Sequence, residues 1–550
     1  MLEASAILIG ALIVGRLAAP FADSERHPRV RRATAALETP WPVWIIGVAT
    51  AVVVWTVWGH VHPTATVHDE ASYLLQARTF ARGRFANPAP PLPEFFEQFH
   101  VIVSPTFASK YPPGTGLLIV PGVWLGVPAL VPVLLVGVSG AFLFLLARRV
   151  ANAWVALVAW IVWLSAPRTL DNGAHYYSEN VSQALWLVGW WLLLEWRETA
   201  RRRWLLGLAA CIGWIAITRQ LTALTYAIPV AAVVLPRVAR RRDWGALGAV
   251  ALGILVLTLI PLSNRAITGD WRKMPWSEYG RDYVPFDHLG FGFDSTPPRR
   301  ALTPDMQAFW RLVIPAARQH VPPMLPMIFA RRGLCMLADM FGGQRVVLFP
   351  FAILGLVAAG PPISLAVISM LLLMGAYLLY PHNANWTIYY VETQPTLAFL
   401  VARGLWGVAV LVTPHGHRPR LRDAHRTVTP GAAVAVASMI LLTLPYVHTV
   451  TTFMRRVRRF DQSYQRSFFE RVAALPEPRS IVFIRYAPAH PIYRSLIANE
   501  PDLASARAWL VYDRGDDNAR LARLAPDRVP YVYDEAAGTL LRYPPMTSTR

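Results

Sequence analysis

Long apolar segments recur along this chain, and they constrain its fold more than any other feature. A helix that crosses a bilayer needs about 20 mostly apolar residues, or fewer where neighbouring helices pack against it. Candidate spans occur at 3–22, 41–59, 127–147, 151–165, 180–195, 204–218, 223–236, 245–263, 345–360, 361–380, 393–413 and 430–446. The stretch 114–126 is also apolar, but Pro121, Gly122 and Gly126 interrupt it, which predicts an interfacial or re-entrant helix.

Composition agrees with a membrane protein. Of the 550 residues, 54% are hydrophobic and only 16% are charged, whereas soluble domains carry about 25% charged residues. This excludes a secreted disulfide scaffold, a disordered chain and a soluble nucleic-acid binder. The net charge of +20 comes mainly from arginines between the apolar segments and near the C-terminus, so we expect no nucleic-acid partner. The two cysteines, Cys211 and Cys335, predict no structural disulfide.

The placement of arginine predicts the orientation in the membrane. The linkers 23–40, 148–150, 196–203, 237–244 and 414–429 hold two to four arginines each, whereas the short linkers between them hold only Arg168 and Arg219. Because arginine-rich linkers stay in the cytoplasm, twelve crossings with both termini outside fit the pattern. The three long polar regions, 60–113, 264–344 and 447–550, then lie on the outer face.

The predicted fold is an all-α polytopic membrane protein of about 12 transmembrane helices, with a small extracytoplasmic α/β domain. The helical module covers 1–446, and the outer domain covers 447–550. In the outer regions we expect short amphipathic helices over 60–113 and irregular structure over 264–344. The outer domain shows strand-like runs at 480–486, 508–512 and 530–533, with a helix-like stretch near 491–505.

The first candidate for chemistry is the triplet His68-Asp69-Glu70, which follows the second span. Adjacent carboxylates repel, so such a pair beside a membrane needs partners or a function. One carboxylate can take a proton from an acceptor hydroxyl while its neighbour orients it or holds a cation. The structural alternative is the start of a helix, where Asp and Glu favour the first turn.

Two cations form the second set of candidates. Lys110 lies in the segment Ser109-Lys110-Tyr111-Pro112-Pro113-Gly114 and is one of only two lysines among 53 basic residues. Arg219 lies between two apolar spans on the outer side. Each can either bind a phosphate or extend its charge to the interface while its stem packs on apolar surface. For Arg219, which breaks the arginine pattern, we favour an anion in a polar cavity.

Two further loops carry polar and aromatic groups. Glu179 opens an apolar helix after His175-Tyr176-Tyr177-Ser178, where a capping role is the simpler explanation. Tyr389-Tyr390 precede Glu392 at the entrance of another span, where tyrosines are usually interfacial anchors. We find no nucleotide-binding loop, no nucleophile triad and no Cys-X-X-Cys metal spacing.

Together these segments resemble the integral-membrane GT-C glycosyltransferases, in particular the bacterial group related to protein O-mannosyltransferases and the lipid A aminoarabinose transferase. The resemblance covers roughly 41–410. The matching residues are Asp69-Glu70 with Tyr73, Phe80, Gly83 and Phe85, then Lys110-Tyr111-Pro112-Pro113-Gly114, Arg219, and Tyr389-Tyr390-Val391-Glu392-Thr393-Gln394-Pro395 with Leu397-Ala398-Phe399-Leu400. The sequence departs from the pattern at Ala71-Ser72 and at Thr387-Ile388, so the resemblance does not identify the sugar or the acceptor.

The resemblance implies a transferase that takes a sugar from a polyprenyl-phosphate carrier and inverts the anomeric centre. It makes Asp69 the general base with Glu70 beside it, and Lys110 and Arg219 the ligands of the donor phosphate. The substrate-binding residues would be Tyr73, Tyr111, Glu179, Tyr389 and Tyr390. The cofactor expectation is open: a divalent cation, Mg²⁺ or Mn²⁺, held by Asp69 and Glu70 is one alternative, and no metal is the other.

The expected location is a bacterial inner membrane, with the site on the extracytoplasmic face. Expected partners are membrane lipids, the lipid-linked donor, and an envelope glycan, lipid or protein acceptor. Two alternatives stay open: a transporter or flippase of lipid-linked glycans, and a non-catalytic scaffold for envelope assembly. Transporters usually place ionisable groups within the membrane and show repeated halves, and neither feature is visible in this sequence.

Overall fold

Helices dominate the computed structural model, which describes residues 2–21, 28–60, 63–357, 359–413 and 428–543. The first half contains α1 Leu2–Ala18, α2 Pro28–Glu38, α3 Trp41–Trp58, α4 His68–Phe80, α5 Pro113–Trp124, α6 Leu130–Val150, α7 Ala153–Leu164, α8 Pro167–Gly173, α9 Ser178–Thr199, α10 Arg202–Ala216 and α11 Gln220–Arg241. The second half contains α12 Ala246–Leu257, α13 Leu259–Thr268, α14 Pro275–Tyr283, α15 Pro304–Arg318, α16 Leu325–Phe341, α17 Phe349–Leu356, α18 Pro361–Ala376, α19 Gln394–Val412, α20 Pro430–Ala473 and α21 Asn518–Leu524.

The twelve predicted spans all fall on helical segments. Seven helices in the described ranges are long and apolar enough to cross a membrane, or up to nine if each of two bent pairs is one span. The pairs are Ala153–Leu164 with Pro167–Gly173, bent by 71°, and Pro322–Phe341 with Gly343–Leu356, bent by 104°. The count is lower than twelve because α1 and α10 have only 17 and 15 residues, and because α9 begins with polar residues. The predicted fold class, a mostly helical membrane protein with a small C-terminal mixed sheet, is confirmed.

Two of the outer regions differ from expectation in their local structure. The described part of the first contains one α-helix, α4, a short 3-10 helix at Pro93–Phe95, and a small antiparallel sheet of β1 Asn87–Pro88, β2 Val101–Ile102 and β3 Thr106–Ser109, with β3 in the middle. The second was expected to be irregular because it is rich in proline, but it contains α14, α15 and α16. The physical reason is that Pro275 and Pro304 occupy the first position of a helix. Proline is favoured there because its missing N–H has no partner inside the helix.

The C-terminal region forms a four-stranded sheet in the order β5-β4-β6-β7. Its strands are β4 Ser480–Arg485, β5 Ala508–Tyr512, β6 Val529–Asp534 and β7 Thr539–Arg542, and only the β6–β7 pair is antiparallel. The helix expected near 491–505 was wrong. Asn499 instead forms two hydrogen bonds with the backbone of Leu510, at 2.8 and 2.9 Å, which hold this loop against β5. The α20 helix runs without a break across the predicted boundary at 446.

The three outer regions pack against one another. Phe95 and Phe96 are fully buried in an apolar cluster with Ile481 and Phe483 of the C-terminal sheet. Phe99 lies in a second cluster with residues of α14 and α15. The regions predicted to share one face of the membrane therefore meet at one end of the helical bundle, and this places α4 and the β2–β3 hairpin above the membrane helices.

Candidate active site

A cavity of about 880 Å³ lies between the outer regions and the ends of the bundle helices. Seven of the nine site residues expected from the sequence line it: Asp69, Tyr73, Lys110, Tyr111, Glu179, Arg219 and Tyr389. The other two, Glu70 and Tyr390, are not part of its wall. Groups that are far apart in sequence thus surround one space.

Asp69 lies in the first turn of α4, and about a third of its side chain is exposed to the cavity. Its Oδ1 accepts a hydrogen bond from the hydroxyl of Tyr111. The imidazole nitrogens of His68 and His100 lie 3.1 and 3.7 Å from its carboxylate oxygens. One carboxylate of the Asp69-Glu70 pair is therefore directed at the cavity and reachable by a substrate.

The surroundings of Asp69 keep it ionised. Burial alone would raise the pKa of Asp69, but the rings of His100 and His68 and the Tyr111 hydroxyl together hold it well below its usual value. Burial, followed by the charge of Lys110, lowers the pKa of His100 well below that of a free imidazole. An ionised carboxylate that faces the cavity can accept a proton from a bound hydroxyl group.

Glu70 occupies a different environment, although it is the next residue. Its side chain is fully buried, and Oε1 lies 2.9 Å from the guanidinium Nη2 of Arg458 in α20. It also accepts hydrogen bonds from the backbone N–H groups of Thr66 and Tyr176, at 2.7 and 3.1 Å. These bonds occupy both carboxylate oxygens and link the start of α4 to α20 and to the loop before α9.

The loop before α5 holds Lys110 at the cavity wall. The backbone N–H of Lys110 donates to the carbonyl of His100 at 3.0 Å, as a continuation of the β2–β3 hairpin. Gln76 of α4 donates to the carbonyl of Tyr111 at 2.7 Å and accepts from the backbone of Gly116 at 3.1 Å. The position of Lys110 relative to Asp69 is therefore fixed by hydrogen bonds on both sides.

The ammonium group of Lys110 is nearly buried but is not neutralised by a close carboxylate. It lies 4.6 Å from the ring centre of Tyr279, and no carboxylate of the described residues comes within 4.0 Å of it. Burial lowers the pKa of Lys110, while the charges of Asp287 and Asp69 oppose that shift. This cation is free to bind an anion in the cavity.

Arg219 lies at the break between α10 and α11 and already has acidic partners. Its guanidinium forms an ion pair with Glu179 and donates to the hydroxyl of Tyr377 at 2.6 Å. A second buried carboxylate, Glu392, lies 3.8 Å from its Nε. A phosphate at Arg219 would have to share it with Glu179.

Gly114 brings the two cation-bearing segments together. Its backbone N–H donates to the carbonyl of Ile217 at 2.8 Å. A Cβ at this position would overlap the side chain of Thr218 and would lie 2.9 Å from the Ile217 carbonyl oxygen. Only glycine lets α5 begin this close to the turn that carries Arg219.

Aromatic side chains form much of the remaining wall. Tyr73 and Tyr111 stack with ring centres 4.4 Å apart, and the ring centre of Tyr389 lies 5.6 Å from the guanidinium carbon of Arg219. Tyr390 points elsewhere: it is buried, and its hydroxyl lies 2.9 Å from Nε2 of His382. An apolar part of the wall comes mainly from α13 and α15 and the loops beside α14, with Ile260, Met274, Leu289, Val313 and Ala317. The cavity thus combines charged and apolar surfaces.

Several lining residues had no signal in the sequence. His100, Asp287 and Tyr377 reach the cavity from a hairpin, a loop and the end of a helix, none of which has a recognisable motif. The suggested metal pair does not form, because Glu70 is directed away from Asp69 and is held by Arg458. In the described ranges, the group able to hold a metal is His68, Asp69 and His100, whose donor atoms lie within 4.8 Å of one another.

Solved structures with a similar fold include two of ArnT from Cupriavidus metallidurans. The structure bound to undecaprenyl phosphate is 16% identical, with a TM-score of 0.46, over 91% of this chain and 90% of that one. The apo structure is 17% identical, with a TM-score of 0.46, over 88% of each chain. The archaeal oligosaccharyltransferase AglB from Archaeoglobus fulgidus, in complex with an inhibitory peptide and a dolichol-phosphate, is 12% identical, with a TM-score of 0.43, over 90% of this chain and 69% of that one.

The chain is similar in structure to ArnT and AglB along about 90% of its length. No protein-family model matches the chain, and no curated protein matches it. At such low identity, function has to be inferred from the residues of the site.

Proposed function

We propose that this protein is a glycosyltransferase that moves a sugar from a polyprenyl-phosphate carrier to an envelope acceptor on the outer face of the membrane. One observation supports this most: a partly exposed carboxylate, Asp69, shares a cavity with Lys110 and Arg219 and with an apolar wall. Such a cavity offers a base for an acceptor hydroxyl, cations for a phosphate, and apolar surface for a lipid chain.

In the proposed reaction, Asp69 accepts the proton of the acceptor hydroxyl as that oxygen attacks the anomeric carbon. The bond between the anomeric carbon and the phosphate oxygen breaks, and the polyprenyl phosphate leaves with the electron pair. Attack from the side opposite the leaving group inverts the anomeric centre. A phosphate leaving group is already activated, so the reaction needs no nucleotide.

The cations stabilise the charge that develops on the leaving phosphate. Preorganised positive groups are worth more in a cavity shielded from water than in solution. Lys110 is the more available of the two, because no close carboxylate neutralises it. Arg219 contributes as its ion pair with Glu179 loosens, so Glu179 sets how strongly Arg219 holds the phosphate.

The aromatic wall fits the remaining requirements of such a substrate. Tyr73, Tyr111 and Tyr389 provide flat apolar faces with hydroxyl groups at their edges, which suit the two kinds of surface on a sugar ring. Tyr111 also donates to Asp69, so it orients the base. The location in a bacterial inner membrane, with the site on the outer face, is part of this proposal. So is the division of the chain into a helical module, 1–446, and an outer domain, 447–550.

The test uses purified protein in lipid vesicles with synthetic polyprenyl-phosphate pentoses and hexoses. The expected result is a new glycoside together with an equal amount of free polyprenyl phosphate, both detected by mass spectrometry. Envelope glycans from cells with and without the protein would identify the acceptor. Movement of the lipid-linked sugar between leaflets without a new glycosidic bond would favour a flippase, and neither activity would favour a scaffold.

A further inference from the structure

One face of α20 carries exposed phenylalanine and arginine side chains just past the apolar part of the helix. Phe453 and Phe460 are 61% and 69% exposed. Three arginines between them, Arg455, Arg456 and Arg459, are exposed as well, and we call these five residues the basic patch. Arg455 and Arg459 are four residues apart, a spacing at which like charges destabilise a helix. The patch therefore needs a partner of opposite charge.

The acidic residues of α20 do not supply that partner. The helix has two, Asp461 and Glu470. Asp461 forms an ion pair with Arg494, and Glu470 forms one with Arg466 at 2.8 Å. Within the described ranges, no carboxylate oxygen lies within 4.0 Å of the three arginines of the basic patch. Their three positive charges are therefore available to a molecule outside the chain.

The basic patch continues the face of α20 that meets lipid. Leu441 and Leu442, in the apolar part of the helix, are 66% and 50% exposed, as expected of side chains in contact with acyl chains. Arg459 and Phe460 follow them by 18 residues, which is about five helical turns. The four side chains thus point in the same direction, and the patch lies directly above a surface that borders the bilayer.

The height of the patch matches the outer edge of the membrane. A hydrocarbon core of about 30 Å takes about 20 residues of helix, so a span that begins at Pro430 leaves it near residue 450. Phe453 then lies about 5 Å beyond the core, and long arginine side chains can reach back toward the headgroups. A neighbouring helix agrees: the guanidinium of Arg458 lies 4.9 Å from the ring centre of Trp58, the last residue of α3.

We propose that the basic patch binds the phosphate groups of anionic lipids in the outer leaflet, while Phe453 and Phe460 insert among the headgroups. Guanidinium groups bind phosphate through paired, charge-assisted hydrogen bonds, and arginines at a membrane surface attract anionic lipids. The preference of arginine for the cytoplasmic side does not explain three exposed arginines here. No residue of the patch lines the cavity, so this proposal does not rest on the proposed transfer reaction.

The test measures which lipid collects beside the patch. A fluorophore is attached at Thr449→Cys, an exposed position two turns before Arg456, in full-length protein whose Cys211 and Cys335 have been replaced. The protein is placed in phosphatidylcholine vesicles that contain a small fraction of spin-labelled phosphatidylglycerol or spin-labelled phosphatidylcholine, and quenching reports the lipid nearby. We expect phosphatidylglycerol to be enriched at least about fivefold, because each arginine near the surface contributes about that factor. High salt should reduce the enrichment.

Three sets of substitutions separate lost charge from lost fold. Replacing the three patch arginines by glutamine should abolish the preference for phosphatidylglycerol, whereas replacing them by lysine should keep it. The charge-matched control replaces three exposed arginines of the outer regions by glutamine and should behave like the wild type: Arg299, Arg523 and Arg542. Thermal unfolding is followed for every variant.

Equal quenching by the two lipids in the wild type, or an unchanged preference in the glutamine variant, would overturn the proposal. Loss of the preference in the lysine variant as well would count against charge as its cause. Absence of a lipid preference together with arginine-dependent binding of soluble polyglutamate would overturn it in favour of an acidic polymer. A lipid preference without glycosyl transfer would support this surface and count only against the proposed function.

Discussion

Asp69 and Glu70 are neighbours in the chain, but their carboxylates have opposite surroundings. Asp69 is exposed to the cavity and accepts from Tyr111, whereas Glu70 is fully buried and pairs with Arg458 at 2.9 Å. Successive side chains of a helix point about 100° apart, so neighbouring residues can face different surroundings. Asp69 faces the cavity, and Glu70 links α4 to α20.

Asp69→Asn tests the role of the base. Asparagine keeps the size and caps a helix about as well as aspartate, but it cannot take a proton. General-base catalysis typically contributes 10²–10⁴-fold, so turnover should fall by about that factor at equal protein level. The matched control is Asp294→Asn at an exposed position, which should transfer normally. Wild-type turnover in Asp69→Asn would remove Asp69 as the base.

Glu70→Gln should mainly affect stability. Removing one partner of a buried ion pair leaves a buried charge and costs about 3–5 kcal/mol. Thermal unfolding in detergent measures this loss, and adding Arg458→Met should recover part of it because the unpaired charge is then gone. Glu470→Gln breaks an exposed pair with Arg466 and should cost only about 0.5 kcal/mol. Unchanged stability with slower turnover would instead place Glu70 in the chemistry.

Lys110→Met tests the phosphate contact, with Lys273→Met as its control, because these are the only two lysines. Methionine keeps most of the apolar stem and removes the charge. A lost charge-assisted hydrogen bond costs roughly 1.5–3 kcal/mol, which is about 10- to 150-fold in kcat/KM for the donor. Lys273 is exposed, and its variant should be unaffected. If both variants had the same donor kinetics, Lys110 would not bind the donor phosphate and would only be an interfacial lysine.

The orientation can be tested with single cysteines, after Cys211 and Cys335 have been replaced. Ser295 and Ala239 are both exposed but lie on opposite sides in the predicted topology. Ser295→Cys should react with an impermeant thiol reagent in intact cells, or in spheroplasts where an outer membrane intervenes, and Ala239→Cys should react only after lysis. Ser104→Cys should behave like Ser295→Cys. The reverse labelling pattern would invert the proposed orientation.

The sequence could predict residues whose signal is local. Asp69, Lys110 and Arg219 stand at the ends of apolar segments on one side, and that placement is readable without a structure. The partners of these residues could not be read, because His100 and Arg458 reach α4 through contacts between distant segments. The non-helical structure of 491–505 was missed for a similar reason: Asn499 forms hydrogen bonds with Leu510 of β5 rather than with its own neighbours. Local patterns thus predicted residues that line one cavity, and the tertiary contacts decided which of their side chains face it.

Gly114→Ala tests whether the two cation-bearing segments must lie this close together. The added methyl group would overlap Thr218 and press on the Ile217 carbonyl, so α5 and the turn before α11 have to move apart. Such overpacking costs about 1–3 kcal/mol. Because Lys110 and Arg219 would then no longer fit one phosphate, and a 1 Å misplacement can cost about 100-fold, kcat/KM for the donor should fall by up to that factor.

The control for this change is Gly253→Ala in α12, where a Cβ meets no atom of the described residues within 4 Å. Alanine favours a helix over glycine by about 1 kcal/mol, so this variant should be at least as stable as the wild type and should transfer normally. Donor kinetics and thermal unfolding are measured for both variants side by side. If Gly114→Ala gave the same results as Gly253→Ala in both measurements, the close approach at Gly114 would not be needed to hold Lys110 and Arg219 near one phosphate.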